Sequence, residues 1–556
     1  MSNEAKQWLE DAVFYEIYPQ SFYDSNGDGI GDIPGISAKL DYIRDLGCNA
    51  LWINPCFDSP FKDAGYDIRD YTKVAPRYGT NKDLIDLFGQ AHEKGMHVLL
   101  DLVPGHTSEE HPWFKASSET APNRFSDRYI WTRSAFEAPQ GQPFIAGESE
   151  RDGAYVLNFF KCQPALNYGY AHPDKPWQRM AGSEPARRTE EAMSEVIRYW
   201  LSRGCDGFRM DMADSLVKFD GDDKTYTIEA WKRIFAPIKK DFPAAAFVSE
   251  WGRPWLSFKA GFDMDFYLDW RWDKPNGYNR LLRDTDSTLV RESDLSYFNA
   301  DSPSSPIAFL KDYLPQYTGG RQVNKNGSFS FITCNHDTPR IAPRLRPEEI
   351  KLAYAMIFTM PGVPFLYYGD ELGLHYRNLP TKEGGYGRTG SRTPMQWTSY
   401  DPRTNPTCGF SQANPQDLYL PVDEQDGGIS MAAERDDPDS LLNFVKRLLA
   451  LRHRYPALRS TSDWEVINAE SGLRSLAYLR RDPEGRNDIS VCINPGRKAE
   501  TATFEFPRPR QHKLLLSIGG EPELESQPGE RTDGAGQRLS TFRVTFPPRS
   551  VCIHLV

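Results

Sequence analysis

Residues 81–102 read NKDLIDLFGQAHEKGMHVLLDL. Asn81 is placed as the N-cap of a helix running to Lys94, and Gly95 ends it. His97–Leu102 follows as an apolar run of strand length. The same unit lies upstream: a strand at Val13–Tyr18, a helix at Ile36–Leu46 closed by Gly47, and a strand at Ala50–Asn54. This β-α-β-α cadence is that of a parallel sheet covered by helices. Downstream it breaks between about Gly105 and Pro173, where Gly, Pro, Asn and Ser are frequent. An irregular stretch that long inside a regular array marks an inserted subdomain or a functional loop. The cadence resumes with a helix at Thr189–Arg203 and a strand at Gly207–Met210. Strands at Ala245–Ser249, Met264–Leu268, Phe329–Thr333 and Val363–Tyr368 bring the number to eight, which predicts an α/β fold of the (β/α)8 TIM barrel type.

A second loop-rich stretch covers Gly384–Asp423, and an amphipathic helix is expected at Pro438–Arg452. After about Tyr455 the pattern changes to short strands: Leu476–Arg480, Ile489–Ile493, Thr501–Phe506, Lys513–Ile518, Arg543–Phe546 and a last one in SVCIHLV. The expected organisation is a barrel from 1–104 and 174–455, an inserted subdomain at 105–173 after strand three, and a C-terminal antiparallel β-sandwich at 456–556. The C-terminal domain is expected to cover one side of the barrel.

The composition of the 556 residues is that of a globular protein, with 39% hydrophobic and 26% charged residues. A net charge of −11 argues against nucleic acid and anionic membranes as partners, since both require a basic face. No run approaches the ~18 apolar residues of a membrane span, and the N-terminus has no secretory pattern. Cys48, Cys56, Cys162, Cys205, Cys334, Cys408, Cys492 and Cys552 never form a CxxC. Scattered thiols of this kind suit a reducing compartment, so a cytoplasmic location is expected.

The acids at the strand ends carry the chemistry. Gly207-Phe208-Arg209-Met210-Asp211 closes strand four, and alternation points Arg209 and Asp211 to the same side. An arginine so placed keeps a carboxylate ionised and oriented, fit to act as a nucleophile at the C-terminal mouth of a barrel. Strand five stops at Glu250, followed by Trp251. A carboxyl beside an indole in a partly dry pocket has its pKa raised, which suits a general acid. Strand seven runs into Asn335-His336-Asp337. Any one of these acids alone reads more simply as a cap or ion-pair partner. Three at one mouth form the two-carboxylate arrangement that cleaves a glycoside, plus a third acid.

These strand ends, with FYEIYP at 14–19, Asp24–Gly35, AGYDIRDY around Asp67, DLVPGHTS around His106, GVPFLYYGDELG and SRTPMQW, resemble the α-amylase superfamily of glycoside hydrolases. The branch resembled is that of oligo-1,6-glucosidases and α-glucosidases, and the resemblance covers nearly the whole chain. It implies Asp211 as nucleophile, Glu250 as acid/base and Asp337 as the third carboxylate, which grips sugar hydroxyls. Asp67, His106, Arg209 and His336 match residues that bind the glucose at the cleavage point; position 70 is grouped with them without a role. Asp67 and Arg392 match a pair that holds the non-reducing end in exo-acting members. The resemblance thus implies a retaining exo-α-glucosidase of short α-glucosides working through a covalent β-glucosyl-aspartate. The alternative is a glucosyltransferase or isomerase of the same fold.

Asp24, Asn26, Asp28, Ile30 and Asp32 place oxygen donors at alternate positions, with Gly29 at the turn, as an EF-hand loop begins. Gly35 stands where such a loop carries its closing glutamate, so a structural Ca²⁺ site is expected rather than a switch. The other reading is an Asn/Asp/Gly turn that caps itself. Two positions depart from the family pattern. Met212 follows the implied nucleophile where valine, alanine or threonine is usual, and Ala165 replaces the aspartate of a QPDLN signature in Gln163–Asn167.

Overall fold

Each barrel strand is short and buried on both faces, as parallel strands covered by helices must be. The computed structural model describes residues 4–268, 278–283, 291–384, 387–507, 513–532 and 538–556. Its central sheet comprises β1 (Phe14–Ile17), β2 (Ala50–Ile53), β3 (His97–Leu102), β4 (Gly207–Met210), β5 (Ala246–Ser249), β6 (Met264–Phe266), β7 (Ser328–Ser330) and β8 (Phe365–Tyr367). All neighbours are parallel, in the order β7-β6-β5-β4-β3-β2-β1-β8. A parallel bridge from Ile332 to Phe365 joins the extension of β7 to β8 and closes the barrel.

The sequence expectations meet local physics at several helix ends. The helix at Asn81–Glu93 is capped by Thr80, not by Asn81: Thr80 and Asp83 form a reciprocal capping box. Asn81 is drawn inward instead, its side chain accepting from Val74 N at 2.8 Å and donating to Thr72 O at 2.8 Å. The helix expected at 36–46 is two pieces, Ile33–Ala38 and Leu40–Leu46, the second ended by Gly47 at φ 106°. Residues 105–173 hold only a short helix at Pro112–Ser117 and a hairpin pairing Phe144–Ala146 with Ala154–Val156.

Beyond the helix Leu441–Arg454 the described residues form eight strands. A five-stranded antiparallel sheet runs β9 (Trp464–Asn468), β10 (Leu476–Arg480), β11 (Ile489–Asn494), β16 (Ser550–Leu555) and β13 (Lys513–Ile518). A three-stranded sheet runs β12 (Glu500–Pro507), β15 (Arg538–Phe546) and β14 (Glu523–Thr532). β9 and β14 lie outside the expected strands; β14 is polar (ELESQPGERT), and β9 is mostly half-buried without a regular alternation. Alternation divides β10 between two cores. Leu476 and Tyr478 join the main core shared with the barrel, while Ala477 packs with Ala502, Val544 and Phe546 between the two sheets. Tyr478 Oη and Thr359 Oγ1, at 2.6 Å, and Arg474 Nη1 donating to Ala300 O at 2.9 Å fasten this domain to the barrel.

Gly207 opens β4 at φ 151°, and a Cβ built there would lie 1.8 Å from Ala246 O. No rotamer relieves a clash with backbone. Gly207→Ala is therefore expected to destabilise the protein by about 2–4 kcal/mol. Gly89→Ala, on a helix face with open space, should stabilise by about 0.5–1 kcal/mol. Thermal midpoints of the two variants, moving in opposite directions from the parent, check the pair.

Candidate active site

The β3–β4 register places Asp101 opposite Arg209, and the β4–β5 register places Met210 opposite Ser249. Arg209 thus emerges among the ends of three strands, 1% exposed. Its Nη1 donates to Asp101 Oδ1 at 2.9 Å and Asp211 Oδ1 at 2.8 Å, and its Nη2 pairs with Glu250 Oε1 at 2.7 Å. Oxygens that share one guanidinium lie less than about 8 Å apart, within the range of carboxyl spacings that glycosidases use. Met212, in the left-handed region at φ 42°, donates its N–H to Glu250 Oε2 at 2.7 Å. Asp265, in the middle of β6, holds the turn that carries Glu250: it accepts from Trp251 N at 3.2 Å, Gly252 N at 3.0 Å and Arg253 N at 2.7 Å.

Burial pushes the Glu250 carboxyl well above the usual range. Arg209 opposes that shift, and the charges of Asp211 and Asp337 add to it. The raised pKa expected of a carboxyl in a partly dry pocket thus comes from burial and from neighbouring acids. The Trp251 ring itself meets Phe262 edge-on at 6.4 Å.

Asp337 sits in a cationic corner. Its Oδ1 accepts from Arg388 Nη1 at 2.8 Å and Arg392 Nη2 at 3.1 Å, and its Oδ2 lies 3.4 Å from His336 Nε2. Burial works against ionisation there, but His336, Arg388 and Arg392 outweigh it and hold the carboxyl well below its usual range. His336 Nδ1 is 2.8 Å from Glu16 Oε1, and Tyr66 Oη bonds both His336 Nε2 and Asp101 Oδ2. A continuous polar network therefore runs from Asp211 through Arg209, Asp101, Tyr66 and His336 to Asp337. Burial lowers the His336 pKa, but Asp337 and Glu16 raise it further, to about 9.

Three further expected ligand-binding residues are held by hydrogen bonds within the protein. Asp67 is fully buried, and its oxygens accept from Ser59 Oγ at 3.0 Å, Lys62 N at 2.9 Å and Asp63 N at 3.0 Å. Arg392 donates to His336 O at 2.9 Å, Tyr18 Oη at 3.4 Å and Asp337. The two do not pair. The ion pair spanning this side joins Asp63 Oδ1 to Arg388 Nη2 at 3.2 Å, with Gln163 donating to Asp63 Oδ2 at 2.7 Å. Asp67 organises the turn that presents Asp63, a role that spacing in sequence does not separate from direct contact. His106 has both ring nitrogens occupied, Nε2 at 3.1 Å from Tyr66 O and Nδ1 at 3.1 Å from Asn158 Nδ2, and burial lowers its pKa to about 4. Position 70 is Asp70, which accepts from Thr72 N at 2.8 Å. The adjacent Tyr71 donates to Val103 O at 2.8 Å and His106 O at 3.0 Å.

Glu16, Tyr66, Asp101, Asp63, Arg388 and Asp265 were not singled out from sequence. Glu16 and Asp101 carried a signal, being acids inside otherwise apolar strands. Arg388 and Asp63 lie in loops whose pairing only the fold reveals. Ala165 is fully buried and bridges His106 through the backbone, so the missing aspartate leaves the strand-like contact intact.

The loop 24–32 is knit by its own groups. Asp24 accepts from Gly27 N at 2.7 Å and Gly29 N at 2.8 Å, Asn26 from Asp28 N at 2.9 Å, and Asp28 from Ile30 N at 2.9 Å. Asp32 caps the helix Ile33–Ala38 by accepting from Gly35 N at 2.6 Å. The donor set is all oxygen and suits a hard cation, yet the carboxylates of Asp24, Asp28 and Asp32 do not close to within 4.8 Å of one another.

Residues 16–252 and 290–461 match the alpha amylase catalytic domain. A trehalose synthase/amylase, TreS, of Mycobacterium tuberculosis is 31% identical over 577 residues, covering 92% of this chain and 89% of that protein. An oligo-1,6-glucosidase of Parageobacillus thermoglucosidasius is 30% identical over 507 residues, covering 81% and 84%. The crystal structure of the trehalulose synthase MutB from Pseudomonas mesoacidophila superposes with a TM-score of 0.71 at 25% identity, over 99% of both chains. With a closed eightfold barrel, acids gathered at one mouth and a match along most of its length, this chain belongs to the alpha-amylase family of glycoside hydrolases.

Proposed function

We propose that the protein is a retaining exo-acting α-glucosidase of short α-glucosides. The observation that carries this reading is the shared grip of Arg209 on Asp211 and Glu250. In the first step the Asp211 carboxylate attacks the anomeric carbon, and Glu250 passes its proton to the departing glycosidic oxygen. In the second, Glu250 as carboxylate takes a proton from water, which attacks the same carbon and frees Asp211. Asp337, kept ionised by His336, Arg388 and Arg392, accepts hydrogen bonds from sugar hydroxyls as the ring flattens. The Asp63–Arg388 ion pair helps limit the pocket to one terminal glucose.

A second reading, glucosyl transfer or isomerisation, is favoured by the relatives named trehalose synthase. Both readings share the first step and differ in what resolves the glucosyl-enzyme, water or a sugar hydroxyl. The products formed over time from maltose, isomaltose, sucrose and trehalose decide: hydrolysis gives mainly free glucose, transfer mainly new disaccharides. Asp211→Asn is expected to lower kcat by about 10⁴-fold or more with an unchanged melting profile. Parent-like cleavage of a nitrophenyl α-glucoside by that variant would refute the nucleophile assignment.

The pH profile follows from Glu250. The acid form is the active one, so kcat/KM falls as pH rises through its pKa, which burial places well above the usual carboxyl range. The alkaline limb should therefore lie well above the ordinary carboxyl range, and Glu250→Gln should abolish it on substrates with an acidic leaving group, which need no proton. A limb at the ordinary carboxyl pKa would contradict this.

We further propose that the loop with Asp24, Asn26, Asp28, Ile30 and Asp32 holds a structural Ca²⁺. Support comes from the alternate oxygen donors and from Ser411, whose hydroxyl bonds Asp24 Oδ2 and ties the loop to a distant segment. Chelator is expected to lower the thermal midpoint by a few degrees, with recovery on adding Ca²⁺, and Asp28→Ala should remove the response. An identical midpoint with and without chelator leaves the self-capped turn as the reading. The eight unpaired cysteines support a reducing, cytoplasmic setting.

A further inference from the structure

We propose that His375, Asp423 and Asp426 form a binding site for a divalent transition-metal ion of the zinc class. His375 follows β8, and the two acids lie on the turn ending the long irregular segment after residue 384. One ligand atom from each of the three lies within 4.8 Å of the other two. Ligands about 2.0–2.2 Å from a common ion fall inside such a separation. His375 Nδ1 and Asp426 Oδ2 are already 2.6 Å apart.

Asp423 supplies the independent observation. It is 4% exposed, and its two oxygens are treated unequally. Oδ1 accepts from Arg377 Nη1 and from Asp426 N. Oδ2 is buried and accepts no hydrogen bond. An ionised oxygen shut away from water with no donor is costly, and a cation satisfies it. Among the described residues, no other group of three His, Cys, Asp or Glu side chains converges in this way.

The surroundings suit an ion. The side chains of His375 and Asp426 are 23% and 38% exposed, so the site has a buried floor and an open rim through which an ion and its remaining waters enter. Arg377 and the Asp426 N–H orient the Asp423 carboxylate through Oδ1. Such outer hydrogen bonds to a ligating carboxylate are what metal centres require. Two carboxylates balance the charge of a divalent ion. The imidazole favours zinc or a neighbouring late transition metal over calcium, which takes oxygen.

The ion would clasp one segment to another. Arg377 N donates to Gly390 O at 3.1 Å, and Met431 N to Gln396 O at 2.9 Å. The site therefore brackets the stretch that carries Arg388 and Arg392, without touching the acids at the barrel mouth.

Full-length protein, stripped with chelator and dialysed, is titrated with ZnCl₂ by calorimetry and with CoCl₂ by visible absorption. One saturable Zn²⁺ per chain is expected, with Co²⁺ bands of a nitrogen–oxygen site. His375→Gln and Asp426→Asn should each weaken Zn²⁺ about tenfold or more, and Asp28→Ala should leave it unchanged. Both key substitutions fall on partly exposed side chains; should one variant fail to fold, the other carries the comparison. The proposal is overturned if the parent shows no saturable binding at micromolar Zn²⁺, or if a folded variant binds as the parent does. In either case the cluster is only a pair of ion pairs.

Discussion

One buried guanidinium organises the mouth of this barrel. Arg209 has nowhere to shed its charge, and it meets three carboxylates from the ends of three adjacent strands. A charge in a low-dielectric interior is tolerated only with good geometry and close partners. Here the planar fork of arginine provides both, and it also sets the distance between Asp211 and Glu250. Lysine, a point charge on a flexible stem, would neutralise the same acids without fixing their separation. The remaining acid, Asp101, is tied by Trp52 Nε1 at 3.1 Å and by Tyr66, which carries the network on to His336 and Asp337.

That network explains why three acids at one mouth differ in character. Asp337 faces two arginines and a histidine and is held ionised. Glu250 is buried beside two other acids, and its lone cation is shared. Opposite shifts in neighbouring carboxyls are the physical basis for dividing acid and base roles among identical groups. Backbone strain enters here as well. The left-handed turn at Met212 aims an N–H at Glu250, a case where an uncommon conformation serves the site directly. It also places Met212 Sδ 3.9 Å from Asn158 Nδ2, beside His106, so the residue that departs from the family pattern lines the join with the inserted subdomain.

The loops above the barrel contribute by cross-linking. Asp67 caps a turn that presents Asp63, Gln163 steadies Asp63, and Arg388 reaches from a late segment to join Asp63 with Asp337. Apart from the local Asp67 cap, these bonds link residues 51 to 325 positions apart. They replace the regular backbone ladders that the loops lack.

The barrel was legible in sequence because its determinants are local. A helix that ends in glycine and leads into a short apolar run needs no partner to be recognised, and β3 and β4 lie where that pattern places them. The acids at strand ends were legible for the same reason: alternation along a strand fixes which side a residue takes. β14 escaped because its polar residues carry no apolar alternation, and Asn81 was mistaken for a cap because Thr80 competes for the same task. What only the tertiary structure decided is pairing across the chain. Asp67 and Asp63 are four residues apart and chemically identical, as are Arg388 and Arg392. Which of each reaches across the pocket depends on how two loops fold against each other, and that contact energy is not written in either segment alone.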